Sequence, residues 1–339
     1  MPIEVPDMGG GDADKGGQIV VDGATGYLGT HLTYKLLSEG FSVACVVHPG
    51  AKRSDAEQLR KMGAEVYIGN FNQDDEASPV LARAFQNAVA AVHLIGSVAP
   101  KKGQKLVEMH AGQTHWFLQH AQKGNTGRIV MVTTLGTSSD AATIYQRTKW
   151  AAEQIIAAGP LPYTILRPSL LVGCTVGTRD SKLVKRYREI LAKKAIVPVI
   201  GGGHNKIQPV FVQDVVSAIC RCIFPGKWQR EATGKELEIG GPEVLEMRKF
   251  VKLLMEATGK NKPLVGVPAP LAFMSAMFCE AYQEVPSVSA DQVKLSLRDN
   301  VCTDNALTAV LGIEPTPLKT ALATYADIER GAIATGAKG

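Results

Sequence analysis

The stretch Gln18-Ile19-Val20-Val21-Asp22-Gly23-Ala24-Thr25-Gly26-Tyr27-Leu28-Gly29 passes from a β-branched apolar run, through a glycine-spaced turn, into a helix-forming segment. Gln18–Asp22 reads as a buried strand and Tyr27–Ser38 as the helix that follows it. Glycine at 23, 26 and 29 admits positive φ and lets the backbone approach a pyrophosphate. The negative charge is then met by free N–H groups and the positive end of the helix dipole. GxxGxxG also describes an ordinary tight turn. Its place after a first strand and at the head of a first helix is what points to dinucleotide binding, with Thr25, Tyr27 and Leu28 completing the cofactor turn.

Working outward, apolar runs alternate with amphipathic stretches. Further strands are expected at Ser42–Val47, Glu65–Ile68, Ala90–Ile95, Arg128–Thr134 and Tyr163–Arg167. Helices are expected around Asp55–Met62, Pro79–Phe85, Leu106–Gln122 and Ile144–Ala158. Such alternation specifies an α/β fold with a Rossmann-type doubly wound parallel sheet. Beyond residue 170 come a basic helix near Ser181–Lys194, a Gly201-Gly202-Gly203 turn, a strand and helix over Pro209–Cys222, a strand at Leu237–Gly240 and a helix at Leu245–Thr258. Residues 262–286 are Pro-rich and read as irregular. The expected division is a flexible tail at 1–17, a nucleotide-binding domain at 18–240 with 171–206 contributing to a substrate pocket, a smaller irregular C-terminal substrate domain at 241–332, and a tail at 333–339. Leu264–Phe278 is apolar enough to cover a hydrophobic substrate or dip into a membrane interface, though a buried helix is the commoner arrangement.

The 339 residues are 45% hydrophobic and 20% charged, which suits a globular chain with a sizeable core. Lys+Arg 37 against Asp+Glu 32 leaves +5 with no dense basic block, too weak a field to argue for nucleic acid. No stretch offers the roughly 20 apolar residues of a membrane span, and the longest candidate, 264–279, contains Pro268 and Pro270. Met1–Gly17 lacks a basic n-region and an apolar h-region, so it reads as a tail rather than a signal peptide. The 6 cysteines show no CxxC pair and read as reduced thiols of a cytoplasmic protein. His110, His115 and His120 are spaced five apart on one expected helix, which turns each ring away from the last and excludes a shared metal.

The choice of dinucleotide turns on the end of the second strand, where an acid would bind a ribose 2′-OH and repel a 2′-phosphate. None is present; His48, Lys52 and Arg53 stand there instead, which favours NADP(H) over NAD(H). As solvated loop charges they would carry no such meaning. Tyr145 and Lys149 lie at i and i+4 on one helix face, where an ammonium can favour the ionised phenol and fit its hydroxyl for general acid–base work. Thr133 and Thr134 end the fifth strand at the sheet edge where open α/β proteins place their ligands. Ile95, ending the fourth strand, is counted with the cofactor residues.

These residues resemble the short-chain dehydrogenase/reductase superfamily, in its extended and atypical branch, over roughly 18–330. The carriers are the glycine turn; Tyr145 to Glu153; Arg167-Pro168-Ser169; Gln208 to Val215; and the late segments Asp291–Leu295, Asp299–Val301 and Leu311–Ile313. Within that branch the chain is similar to the nucleotide-binding accessory subunit of respiratory complex I and its bacterial relatives. The resemblance implies that Gly23, Gly26 and Gly29 bind the pyrophosphate, that Lys149 holds the nicotinamide ribose, and that Tyr145 donates the proton. The family often has Ser where this chain has Thr133-Thr134, and Asp where it has Asn70; Thr still donates a hydrogen bond, and the Asn70 amide still reaches adenine. Arg167 has a structural alternative as an ion-pair partner. Asp214 is expected to cap a helix over Val215–Cys222.

The expected activity is NADP(H)-dependent carbonyl or alcohol oxidoreduction of a small-molecule substrate, a hydrophobic one being compatible with the apolar segment, with Tyr145, Lys149 and Thr134 as the catalytic set. The alternatives are a non-catalytic nucleotide-binding subunit of a larger, membrane-peripheral complex and a sugar-nucleotide epimerase using the same dyad.

Overall fold

Ile19, Val20 and Val21 are shielded from solvent on both faces of the sheet, as their β-branched side chains require. The computed structural model describes residues 17–72, 78–98, 103–174, 176 and 180–329, so the tails expected at 1–17 and 333–339 lie outside the described residues except for Gly17. Its strands and helices alternate as β1 (Gln18–Asp22), α1 (Tyr27–Ser38), β2 (Ser42–Val47), α2 (Arg53–Lys61), β3 (Glu65–Ile68), α3 (Pro79–Phe85), β4 (Ala90–His93), α4 (Gln113–Lys123), β5 (Ile129–Val132), α5 (Ile144–Ala157) and β6 (Tyr163–Pro168). The strand Lys235–Ile239 completes a 7-stranded sheet whose order runs from it through β6, β5, β4, β1 and β2 to β3. All its pairings are parallel, a Rossmann-type doubly wound arrangement. The order reverses between β1 and β4, so the crevice beyond their carboxyl ends is the place for a ligand.

Leu32, Leu36, Val216 and Ile219 pack on one face of the sheet, and Leu81, Phe85, Phe117 and Ile156 on the other. Each such side chain contributes about 1.5–3 kcal/mol when fully buried. A further core joins Val172, Phe211, Phe250, Leu254, Leu322 and Tyr325, which lie far apart in the chain. No described helix is long and apolar enough to cross a membrane.

Five expectations change. Strand β4 ends at His93 rather than Ile95, because the N–H groups of Leu94 and Ile95 both turn to the Asp22 carboxylate. The single helix expected over Leu106–Gln122 instead contains a π-helical turn, Glu108–Gly112, leading into α4. The segment read as irregular holds a strand, Leu264–Val267, paired with Val197–Ile200, and a helix, Ala269–Tyr282. Pro268 and Pro270 sit at the head of that helix, where the missing N–H costs no intrahelical bond. Nor is that helix buried: Leu271, Met274, Met277, Phe278 and Tyr282 are 57–76% exposed, while Ala272, Ala276 and Cys279 face inward. Finally, the helix expected from Val215 starts at Val212, and Asp214 accepts from the Thr316 N–H and hydroxyl at 2.8 and 2.7 Å instead of capping it.

Candidate functional site

The glycine turn lies at the carboxyl end of β1. Gly23 adopts φ +58°, and the Gly26 N–H donates to its carbonyl at 2.8 Å. A Cβ on Gly29 would lie 2.4 Å from the Gly23 oxygen and 2.7 Å from the Ala24 Cα, so the first turn of α1 can seat against the loop only with glycine there. Helix α1 begins without a side-chain cap, which leaves its first N–H groups for an outside acceptor. That arrangement fits a dinucleotide pyrophosphate. The Tyr27 side chain points elsewhere: its hydroxyl donates to the Gly173 carbonyl, and Gly173 N–H in turn donates to the Tyr325 hydroxyl at 2.8 Å. Val176 N–H reaches His31 Nε2 at 3.3 Å, and Lys182 Nζ reaches Ser97 Oγ at 3.1 Å. The segment 171–206 is thus fastened to both lips of the crevice.

Thr143 caps α5 by accepting from the Gln146 N–H, and the helix carries Tyr145 and Lys149 one turn apart. Lys149 is buried and its Nζ donates to the Ile95 carbonyl at 2.7 Å, beside the glycine turn. Burial lowers its pKa to about 8, against the opposing charges of Asp22 and Glu153. The Tyr145 phenol moves the other way from expectation, pushed up to about 12 by burial. An ammonium that spends its hydrogen bond on Ile95 does not offset that desolvation. The Tyr145 ring lies edge-on to His110, centroids 5.5 Å apart.

His110 is held by a bond whose direction can be worked out. The single hydroxyl hydrogen of Thr148 is directed to the Ile144 or Tyr145 carbonyl, at 2.9 and 3.0 Å, so His110 Nδ1–H donates to Thr148 Oγ1 at 2.8 Å. Nε2 is then an acceptor for the Ser97 N–H at 3.4 Å. Burial lowers the His110 pKa to about 2, with the charges of Lys149 and His93 adding to the effect. A second chain starts beneath the turn. Asp22 Oδ2 pairs with His93 Nδ1, and His93 Nε2 bonds the Thr114 hydroxyl at 2.8 Å, which donates to the His110 carbonyl at 2.7 Å.

Thr133 and Thr137 donate to Glu153, whose carboxylate also takes the Arg167 guanidinium at 2.5 and 3.1 Å. Arg167 is therefore the ion-pair partner that its structural alternative required, with Glu236 on its other side at 2.8 Å. Thr134, half-buried, has no hydrogen-bond partner among the described residues and keeps its hydroxyl available. His48 is exposed and accepts from the Gly50 N–H; Lys52 precedes α2 and is exposed. Arg53 opens that helix with its side chain 91% exposed and its Nε 2.9 Å from Glu57. Asn70, beyond β3, accepts from Gln113 at 3.4 Å. His120 packs against Phe71 and Phe85 and His115 is exposed, so the three histidines of this region go separate ways.

Asp22, His93 and Glu153 were not singled out from the sequence, and His110 was weighed there only as a metal ligand. One signal was present: an acid ending an apolar strand, as Asp22 does, must find partners when buried. The other three are recognised only once distant segments meet.

Residues 23–190 match the model of a family described as NAD(P)H-binding. The chain is 28% identical over 310 residues to "NADH dehydrogenase [ubiquinone] 1 alpha subcomplex subunit 9, mitochondrial" of Arabidopsis thaliana, spanning 88% of this chain and 74% of that protein. It is 23% identical over 308 residues to "NADH-ubiquinone oxidoreductase 40 kDa subunit, mitochondrial" of Neurospora crassa, spanning 90% and 78%. Two solved structures share the fold: MoeE5 with UDP-glucuronic acid and NAD, TM-score 0.67 at 19% identity over 93% of this chain and 100% of that one, and the Citrobacter sp. triphenylmethane reductase complexed with NADP(H), TM-score 0.68 at 18% identity over 91% and 99%. Fold, glycine turn and family match define an NAD(P)H-binding chain with a Rossmann-type fold that resembles the short-chain dehydrogenase/reductases. Within that likeness it is the atypical branch, and the respiratory complex I subunits just named, that the chain resembles.

Proposed function

We propose that the protein is an NADP(H)-dependent oxidoreductase acting on the carbonyl or alcohol group of a small molecule with an apolar body. The observation that carries this reading is the placement of Tyr145 and Lys149 on one face of α5, with Lys149 anchored beside the glycine turn. The nucleotide, when bound, supplies or accepts the hydride. Gly23, Thr25, Gly26, Tyr27, Leu28 and Gly29 hold the pyrophosphate through their backbone, Asn70 and Ile95 flank the adenine and nicotinamide halves, and His48, Lys52 and Arg53 receive the 2′-phosphate. Lys149 holds the nicotinamide ribose. A phenol raised to about 12 keeps its proton at neutral pH, which suits Tyr145 to protonate the oxygen of a carbonyl being reduced, while Thr134 donates a second hydrogen bond to that oxygen. Residues 18–240 serve as the nucleotide-binding unit and 241–332 as the part that, with 171–206, selects the substrate.

Tyr145→Phe tests this. It should leave folding and nucleotide binding intact and slow turnover by about 10²–10⁴; unchanged turnover of every carbonyl compound the wild type reduces would overturn it. A second reading is favoured by the relatives named as respiratory subunits: a non-catalytic nucleotide-binding subunit, cytoplasmic or peripheral to a membrane. Native mass spectrometry of the protein as purified separates the two, since a retained, slowly exchanging nucleotide supports the subunit role, or an epimerase, over a reductase with dissociating cofactor.

A further inference from the structure

A cavity of about 490 Å³ opens beside the amino-terminal end of α5, lined by Ala142, Phe273, Lys294, Leu297 and Arg298. That volume suits a small organic ligand. It sits next to the candidate chemistry: Ala142 immediately precedes the Thr143 cap of α5, and the Tyr145 N–H donates at 2.9 Å to Asp291, one turn before Lys294 on the helix Ala290–Ser296. The lining is of two kinds. Phe273 and Leu297 are apolar. Lys294 and Arg298 are cationic; the Lys294 ammonium has only a loose contact with Asp291 at 3.9 Å, and the Arg298 guanidinium has no ion-pair or hydrogen-bond partner among the described residues.

The helix that contributes Phe273 also carries the exposed apolar stripe. At 100° per residue, Leu271, Met274, Met277, Phe278 and Tyr282 fall within about 140° of its circumference. Leaving side chains of this size in water forfeits the favourable transfer of their apolar surface. An apolar chain leaving the cavity past Phe273 would find them as its next contacts.

We propose that this cavity binds an amphipathic anion, with its phosphate or carboxylate head on Lys294 and Arg298 and its apolar chain along Phe273, Leu297 and the outer face of helix Ala269–Tyr282. The proposal rests on the oxidoreductase reading for the role of that ligand as substrate, but not for its binding. Charge complementarity selects the head, since a neutral ligand would leave Arg298 without a counter-charge and Lys294 with only its loose contact to Asp291. The open apolar stripe selects the tail, since a polar ligand such as a sugar nucleotide would leave it uncovered.

Titration calorimetry of the full chain with NADPH present, using decyl phosphate, 1-decanol and inorganic phosphate as probes, tests the idea. Decyl phosphate should bind at least about tenfold more tightly than either of the others, and Lys294→Ala and Arg298→Ala should each weaken it about tenfold or more, with NADPH binding unchanged. Equal binding of decyl phosphate and decanol, or variants that bind like the wild type, would overturn the proposal. Tyr145→Phe should bind decyl phosphate as the wild type does. A protein that reduces no carbonyl compound yet binds decyl phosphate removes the reductase and keeps the cavity, whereas carbonyl reduction without that binding does the reverse. Co-sedimentation with phosphatidylglycerol vesicles identifies the source: binding lost in Met274→Glu/Phe278→Glu assigns a bilayer lipid, and decyl phosphate binding without co-sedimentation assigns a soluble amphiphile.

Discussion

The backbone N–H of Tyr145 donates to the carboxylate of Asp291 at 2.9 Å, across 146 residues of chain. The first turn of α5 has N–H groups that the helix cannot satisfy, and Asp291 takes one of them at the residue assigned the proton. Asp291→Ala should destabilise the protein by about 1–3 kcal/mol, the cost of a buried donor left unmet, while Asp291→Asn retains an acceptor and most of the stability. Urea unfolding of both variants measures the difference; equal midpoints for Asp291→Ala and wild type would show the bond to be idle.

Glycine at position 29 is required by contact with the backbone of Gly23 and Ala24. Gly29→Ala forces the loop and α1 apart, at about 1–3 kcal/mol for overpacking. The expected reading is weaker NADPH binding by fluorescence titration, with a folded protein by circular dichroism.

His110 gives the protein an acid sensitivity. Its pKa is about 2 when folded and near 6.5 when unfolded, so the unfolded chain takes up more protons between those values and stability falls as pH drops through 6.5. The slope from this one group approaches about 1.4 kcal/mol per pH unit. His110→Asn should flatten denaturant midpoints measured between about pH 4 and 6; an unchanged slope would mean that another group sets it.

Glu153 is fully buried and gathers Arg167, Thr133 and Thr137. Glu153→Ala strands the guanidinium with Glu236 alone, and breaking a buried pair in this way costs about 3–5 kcal/mol. A thermal melt should show a large drop, and Arg167→Leu in the same background should restore part of it.

Arg53→Ala addresses the nucleotide. If the guanidinium leaves Glu57 for a 2′-phosphate, the substitution should weaken NADPH by about 1.5–3 kcal/mol and leave NADH unchanged. Titrations in which wild type binds NADH as tightly as NADPH would remove the NADP preference.

Strands β1, β2 and β3 and the helix α1 were legible to the residue, because β-branched runs and glycine punctuation are local signals. Tyr145 and Lys149 were legible for the same reason, as a spacing within one helix. The Asp22–His93–Thr114–His110–Thr148 chain was not: three of its four links join residues 71, 21 and 38 positions apart, and only the folded sheet brings them together. The Tyr145 pKa was misjudged because spacing shows that an ammonium is near but not which oxygen it bonds. A helix over part of Leu264–Phe278 was legible from its apolar run, though two prolines that its first turn tolerates also made 262–286 read as irregular; its exposure was not legible, because that depends on what packs over it.

The strand Lys235–Ile239 enters the sheet beside β6 only after the chain has made a long excursion through the second core. Until it is made, β6 presents a bare row of backbone donors and acceptors, a template for pairing with another molecule. The part of the chain that carries the glycine turn and the Tyr145–Lys149 helix is thus not self-sufficient during synthesis. A ribosome that has released residues only as far as Thr233 exposes a sticky, unfinished sheet, so fragments cut there should aggregate faster than those extending past Ile239.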